Sequence, residues 1–250
     1  MTREQRLVFG EDAELFDRVR PSYPAELIDE VVGLVGFPCR AVDAGCGTGR
    51  AAVLLAERGV DGVGVEPDTA MAEVARRNLR PYPGWRVDMA EFEGWSPRSD
   101  DGPFDLVICA QAWHWIDRER GARNAERLLR PGGWLAILEN RPVFQETPLR
   151  RAIDAAYERA GMPPSAIEQA PRERVPPGSA FGSPVEREYP GAQVYTSAGW
   201  IELLSTSSDH KMLPAERRER LLAAVAAAID QHGGRYEHHS VYRLWAAQRL

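Results

Sequence analysis

Ala41-Val42-Asp43-Ala44-Gly45-Cys46-Gly47-Thr48-Gly49-Arg50 compresses a strand end, a turn and a helix start into one short string. Two apolar residues lead into an acid, and glycine then falls at every second position. Ala51 to Arg58 follows as a helix, which Gly59 stops. Strand, Gly-rich turn and helix in that order form a nucleotide-type site at the end of a parallel strand. Glycine bends the backbone tightly and lets it approach a ligand, because no Cβ intervenes. The helix start is expected to present unpaired N–H groups at the floor of the turn. The spelling has two readings, since Gly47-x-Gly49-x-x-Ala52 also satisfies a dinucleotide fingerprint. Glu66, about 20 residues further on, suits a ribose-binding carboxylate under either one.

The flanking segments alternate between strand and helix. Val60 to Val65 is an apolar strand with Glu66-Pro67 at its carboxyl end, and Thr69 to Asn78 is a helix. Trp85 to Val87 is a third strand, followed by Asp88, Met89 and Ala90. Phe104 to Ala110 is a buried strand that runs into Gln111-Ala112-Trp113-His114-Trp115. Asp117 to Leu129 is a helix with Asp117 as its N-cap. Arg130 to Gly133 is a turn, and a fifth strand reaches Glu139. This alternation predicts an α/β, doubly wound sheet with its site at the strands' carboxyl ends.

On the N-terminal side, Glu11 to Val19 favours a helix, and Arg20-Pro21-Ser22-Tyr23-Pro24 breaks it. From Ala25 a second helix places Leu27, Ile28, Val31, Val32 and Val35 on one face. Beyond Asn140 the expectations are a helix from Pro148, a loop or cap segment from Met162 to Pro184, and a strand from Val185. A helix over 197–207, a helix over 214–231 and a last strand over 240–248 complete the chain. His232, His238 and His239 are expected in a solvated loop, without metal-ligand spacing.

The chain has 250 residues, 44% hydrophobic and 27% charged, with a formal net charge of −6. That balance argues against a general nucleic-acid surface. No apolar run reaches membrane-spanning length, and the first residues lack a signal core. Cys39, Cys46 and Cys109 are too few and wrongly spaced for a disulfide framework or a zinc site. A cytoplasmic protein acting on a small molecule, with no metal, nucleic-acid or membrane partner, is the expectation.

Three strings carry a family resemblance: Phe16 to Pro24 (FDRVRPSYP), Val42 to Gly49 (VDAGCGTG) and Ala110 to Trp115 (AQAWHW), supported by Leu129 to Leu135 (LRPGGWL). Together they resemble class I S-adenosylmethionine-dependent methyltransferases of the methyltransferase-11 type, in particular the subgroup similar to trans-aconitate methyltransferase. The resemblance implies a Rossmann-like seven-stranded sheet with the last strand antiparallel, an N-terminal helical lid and a C-terminal cap insertion. It implies one domain over 1–250: a lid at 1–36, a cofactor-binding core at 37–142, and cap helices with the final strands at 143–250. Monomer and homodimer both stay open.

The implied cofactor is S-adenosylmethionine. By the same resemblance Asp43, Gly45, Cys46, Gly47 and Gly49 seat its methionine part, and Glu66 with Pro67 holds the ribose. Arg20 and Tyr23 lie near the methionine carboxylate, and Gln111 faces the methyl group. Asp88, Met89 and Ala90 surround the adenine, with Met89 standing where relatives often carry an acid. Asp88 is then a candidate for the amino group, Met89 for stacking and the Ala90 N–H for a ring nitrogen. Phe16 replaces a frequent tyrosine. Trp113 and Trp115 wall the acceptor pocket, where a π face attracts a cation. His114 either acts as a general base or bonds a carbonyl and shapes the pocket. The implied reaction moves a methyl group to an O, N or C nucleophile of a small molecule, carboxylates included. Two other readings remain: a nicotinamide-dependent oxidoreductase, which leaves Asp43 and the Trp-His-Trp string without a task, and a non-catalytic S-adenosylmethionine-binding protein.

Overall fold

Successive side chains of a strand point to opposite faces, and the first strand shows what that does here. In the computed structural model, which describes residues 8–162, 174–176 and 179–250, β1 (Arg40–Ala44) sends Ala41 into one apolar cluster and Val42 and Ala44 into another. The remaining strands are β2 (Asp61–Glu66), β3 (Trp85–Met89), β4 (Phe104–Ala110), β5 (Leu129–Val143), β6 (Val185–Thr196) and β7 (Arg235–Gln248). They lie in the order β3-β2-β1-β4-β5-β7-β6. The pairs β1–β2, β1–β4, β2–β3 and β4–β5 are parallel, and the last strand runs antiparallel. The expected α/β sheet is therefore present.

The helices are α1 (Ala13–Val19), α2 (Ala25–Val35), α3 (Arg50–Ala56), α4 (Thr69–Leu79), α5 (Arg118–Leu128), α6 (Pro148–Arg159), α7 (Ser197–Ser205), α8 (Ser208–Lys211) and α9 (Ala215–Gln231). The chain divides into two compact units. One comprises 22–140, 171–189 and 242–250; the other comprises 1–21, 141–170 and 190–241.

In the first unit, Leu27, Ile28 and Val31 of α2 and Leu55 of α3 pack with Leu106, Ile108 and Leu138 on one face of the sheet. Ala125 and Leu128 of α5 pack with Val107, Cys109 and Ile137 on the other. A large apolar side chain buried in this way contributes roughly 1.5–3 kcal/mol. In the second unit, Ile153 of α6, Trp200 and Leu203 of α7, and Leu221, Val225 and Ile229 of α9 form a separate core with Tyr195 and Tyr236.

Several expectations move. Asp117 does cap its helix, accepting from the Arg120 N–H at 2.8 Å. The strand β5 nevertheless starts at once, at Leu129. Phe104 pairs with Leu129 but Leu106 with Trp134, so Arg130 to Gly133 bulge out opposite the single residue Asp105. The expected turn is thus an excursion inside a strand. The helix expected from Glu11 begins at Ala13, after a 3-10 turn over Val8–Asp12. The helix expected over 197–207 is α7, which ends at Ser205, and the short α8 follows it.

His238 and His239 are not in a loop but in β7, which begins five residues before the expected Ser240. Trp200 and Tyr236 flank His238, with ring centroids 4.9 and 6.1 Å away. Aromatic packing stabilises strand residues that read as polar in the sequence. Much of the Met162 to Pro184 segment lies outside the described residues. Among the described residues, no helix is long and apolar enough to cross a membrane.

Candidate functional site

The carboxyl ends of β1 to β4, with Glu139 and Asn140 of β5, belong to the first unit. Gly45, Gly47 and Gly49 all have left-handed backbones, with φ of 67°, 57° and 80°, which L side chains disfavour. A Cβ on Gly45 would lie 2.6 Å from the Ala112 Cβ. The turn therefore fits tightly under the segment that leaves β4.

Its amides are already engaged. Gly45 and Cys46 both donate to the Val65 carbonyl, at 2.9 and 3.1 Å, and Gly49 donates to the Cys46 carbonyl at 2.9 Å. The Gly47 N–H donates to Glu66 Oε2 at 2.9 Å. The turn thus spends these four N–H groups on β2 and on itself. The helix behind it, α3, is only seven residues long.

Glu66 ends β2 with its carboxylate fixed at both oxygens. Oε2 holds Gly47, and Oε1 accepts the Asp68 N–H at 2.9 Å. Asp68 in turn caps α4, accepting from the Met71 N–H at 3.0 Å. Pro67 sits between these two anchors.

Asp43 is wholly buried at 0% exposure, and neither carboxylate oxygen has a hydrogen-bond partner. Burial pushes its pKa up to about 7. The Ala52 N–H opposes the rise without reaching hydrogen-bonding geometry, and the Glu66 charge adds to it. The Thr48 hydroxyl is also buried and unpartnered. Sequence reasoning passed over Thr48, because a hydroxyl inside a glycine turn reads as spacer.

Cys46 does not face a ligand through its thiol. The sulfur occupies the space a Cβ on Gly64 would need, 2.8 Å away, inside the apolar cluster. Tyr23 joins this unit and meets Tyr242 edge-on at 6.1 Å. Burial, and then the nearby Asp43 charge, push its phenol pKa up, while Arg50 opposes the rise. Arg50, the first residue of α3, was not singled out in the sequence. Arg20 belongs to the other unit, where its Nε donates to Thr206 Oγ1 at 2.8 Å and its Nη2 to Ser207 Oγ at 3.2 Å.

At the end of β3, Met89 is 49% exposed, unusual for a large apolar side chain. The backbone register sets it beside Glu66. The Ala90 N–H donates to the Glu66 carbonyl at 3.3 Å. Asp88 accepts from Arg86 Nε and Nη2, Trp95 Nε1 and Arg98 Nη2 at 3.2–3.3 Å. That fills about the four acceptor directions a carboxylate offers. Asp101 anchors the same network, taking Arg40 and Arg86 together.

At the end of β4, Gln111 is the only non-glycine residue among those described with a positive φ, 60°. Its N–H donates to the Leu138 carbonyl at 2.9 Å, and its Nε2 to the Asn140 carbonyl at 3.2 Å. A left-handed side-chain-bearing residue costs on the order of 1–3 kcal/mol and concentrates at functional sites. The Asn140 Oδ1 is buried without a partner.

Trp113 points into the second apolar cluster, and its Nε1 donates to the Arg174 carbonyl at 2.7 Å. Arg174 also pairs with Glu139. His114 keeps an exposed ring, 4.8 Å from Trp115. Surrounding atoms lower its pKa, Glu139 raises it and Arg174 lowers it.

The second unit holds an arrangement that sequence reasoning missed. The Tyr157 hydroxyl lies 2.8 Å from His210 Nε2, and Asp209 Oδ1 lies 2.9 Å from His210 Nδ1. Asp209 and His210 are adjacent in sequence, but Tyr157 stands 53 positions from His210.

Comparison with known proteins follows the same direction. Residues 42–137 match the family described as methyltransferase domain. An uncharacterized methyltransferase of Mycobacterium tuberculosis is 32% identical over 230 residues, covering 92% of this chain and 88% of that one. A trans-aconitate 2-methyltransferase of Rhizobium leguminosarum is 32% identical over 183 residues, covering 70% and 64%. Among solved structures, a geranyl diphosphate C-methyltransferase of Streptomyces coelicolor, in complex with S-adenosyl-L-homocysteine, has a TM-score of 0.50 at 18% identity, covering 90% of this chain and 75% of that one. At that identity the likeness shows the fold.

Proposed function

Since the chain belongs to the S-adenosylmethionine-dependent methyltransferases, we propose that it methylates a small molecule at the carboxyl end of β4, beside Asn140 of β5. Bound S-adenosylmethionine supplies an electrophilic methyl group on a sulfonium. The site's residues fit that group. The observation that carries the reading is the pair of unpartnered, fully buried Asp43 oxygens beside a turn whose N–H groups are engaged. A buried carboxylate without a partner favours an ammonium and a sulfonium and disfavours a pyrophosphate.

In this reading Asp43 and the Gly45 to Gly49 backbone seat the methionine part, with Tyr23 beside them. Glu66, fixed at both oxygens, offers its remaining acceptor directions to the ribose hydroxyls. Met89 covers the adenine face with its exposed thioether chain. Asp88 could reach the adenine amino group only in place of Arg98, the most exposed of its donors. Gln111, held left-handed, and His114 face the transferred group. His114 stays neutral near pH 7 and can take a proton from an acidic acceptor. Trp115 helps to exclude water. Alignment of the reacting groups is the main lever and is worth ~7–11 kcal/mol. A carboxylate acceptor and a cytoplasmic setting with reduced cysteines belong to the same reading.

Thermal shift tests it. S-adenosylhomocysteine at 100 times its Kd should add ~2.7 kcal/mol to folded-state stability, and NAD should add nothing. The opposite pattern would end the reading. Glu66→Ala should weaken S-adenosylhomocysteine binding by roughly ten- to a hundredfold, the cost of losing one charged hydrogen-bonding group.

A further inference from the structure

We propose that Asn140 receives the methyl acceptor, its side-chain oxygen taking a hydrogen bond from an O–H or N–H that the acceptor carries beside its reacting atom. This rests on the methyltransferase reading and deepens it.

The sheet orders the site. Met89, Glu66, the glycine turn, Gln111 and Asn140 stand at the carboxyl ends of β3, β2, β1, β4 and near the end of β5, and those strands are neighbours in that sequence. Adenine, ribose and methionine take the first three positions. The next two therefore face whatever comes beyond the sulfur.

Asn140 is prepared for a ligand at that place. Its Oδ1 is buried and has no partner among the described residues, a condition that folded proteins rarely leave without use. Its backbone is not adrift, because Gln111 Nε2 holds its carbonyl at 3.2 Å. Gln111 itself carries the single left-handed φ among the described non-glycine residues. By strand alternation Asn140 follows Ala136 and Leu138 onto the face of the first cluster, and Asp43 follows Ala41 onto the same face. Asp43 oxygens and Asn140 Oδ1 are all acceptors. Cofactor and acceptor together must bring donors: the cofactor's ammonium to the acid, and the acceptor's hydroxyl or N–H to the amide. The acceptor class is a small alcohol, phenol, hydroxy acid or amine.

The test compares wild type with Asn140→Leu and Asn140→Asp. Calorimetry measures S-adenosylhomocysteine binding, and labelled S-adenosylmethionine measures transfer to a panel of short hydroxy acids, phenols and primary amines. Wild type should label at least one member. In N140L, cofactor-product affinity should stay within about twofold while the acceptor KM rises roughly tenfold or more and kcat changes less. N140D retains acceptor oxygens and should recover most of the KM. If N140L does not fold, Asn140→Ala carries the same measurement. An unchanged KM in the folded variant overturns this inference alone. Loss of S-adenosylhomocysteine affinity in it reassigns Asn140 to the cofactor and overturns it too. A wild type that binds S-adenosylhomocysteine but labels no panel member overturns the donor class. A wild type that does not bind S-adenosylhomocysteine ends the functional reading, and this inference with it.

Discussion

Asp43 shows how one residue can cost stability and serve binding. A carboxylic acid whose pKa rises on folding holds its proton more tightly in the folded chain. Between its unfolded value of 3.8 and about 7, ligand-free stability therefore falls as pH rises, and above 7 the full cost is present. At about 1.4 kcal/mol per pH unit, that cost is on the order of 4 kcal/mol. Asp43→Asn should raise the melting temperature of the ligand-free protein at pH 8, and flatten its fall between pH 4 and 7. The same variant should lose most of the stabilisation given by S-adenosylhomocysteine. Melting curves across pH, with and without that ligand, check both halves. His114 offers a second residue-scale experiment. Removing the cation in Arg174→Gln should raise the His114 pKa, and removing the anion in Glu139→Gln should lower it. NMR titration of the His114 ring protons reads both signs, and shifts in the same direction would dismiss the pair as its electrostatic neighbours.

Among the elements, the glycine turn was the most readable from sequence and the most revised by the fold. Three alternate glycines required a sharp bend, and the backbone supplies three left-handed residues. Which way the bend's N–H groups point could not be read, because Val65 and Glu66 lie on a different strand. Gly45→Ala should weaken S-adenosylhomocysteine binding by roughly tenfold or more. It combines a strained φ with a Cβ 2.6 Å from Ala112, and such strain costs about 1–3 kcal/mol. Adding Ala112→Gly should return part of the affinity, as calorimetry would show; no recovery would mean that φ strain alone carries the loss. Likewise, the Pro-Gly-Gly of β5 announced a reversal but not a bulge, because the register shift depends on the partner β4. The β7 start was hidden because Tyr236 and His238 gain their apolar surroundings from Trp200.

At the scale of the whole molecule, each unit has its own core, and the second shows a polar chain inside it. Tyr157→Phe should cost about 1–3 kcal/mol, since it leaves His210 Nε2 buried without its partner. Urea denaturation at pH 7 measures that, and a change below about 0.5 kcal/mol, the usual effect of a surface substitution, would mean that the hydroxyl is idle. The chain's own letters were enough for the β-α alternation, the Asp117 cap and the two faces of the sheet. These follow from periodicity and turn chemistry, which act over a few residues. The unpartnered state of Asp43 and Asn140, the saturation of Asp88, the burial of Trp113 and the Tyr157–His210–Asp209 chain emerged only on folding. Each depends on which groups distant segments bring within about 3 Å, the reach of a hydrogen bond, and neighbours along the chain carry no record of that.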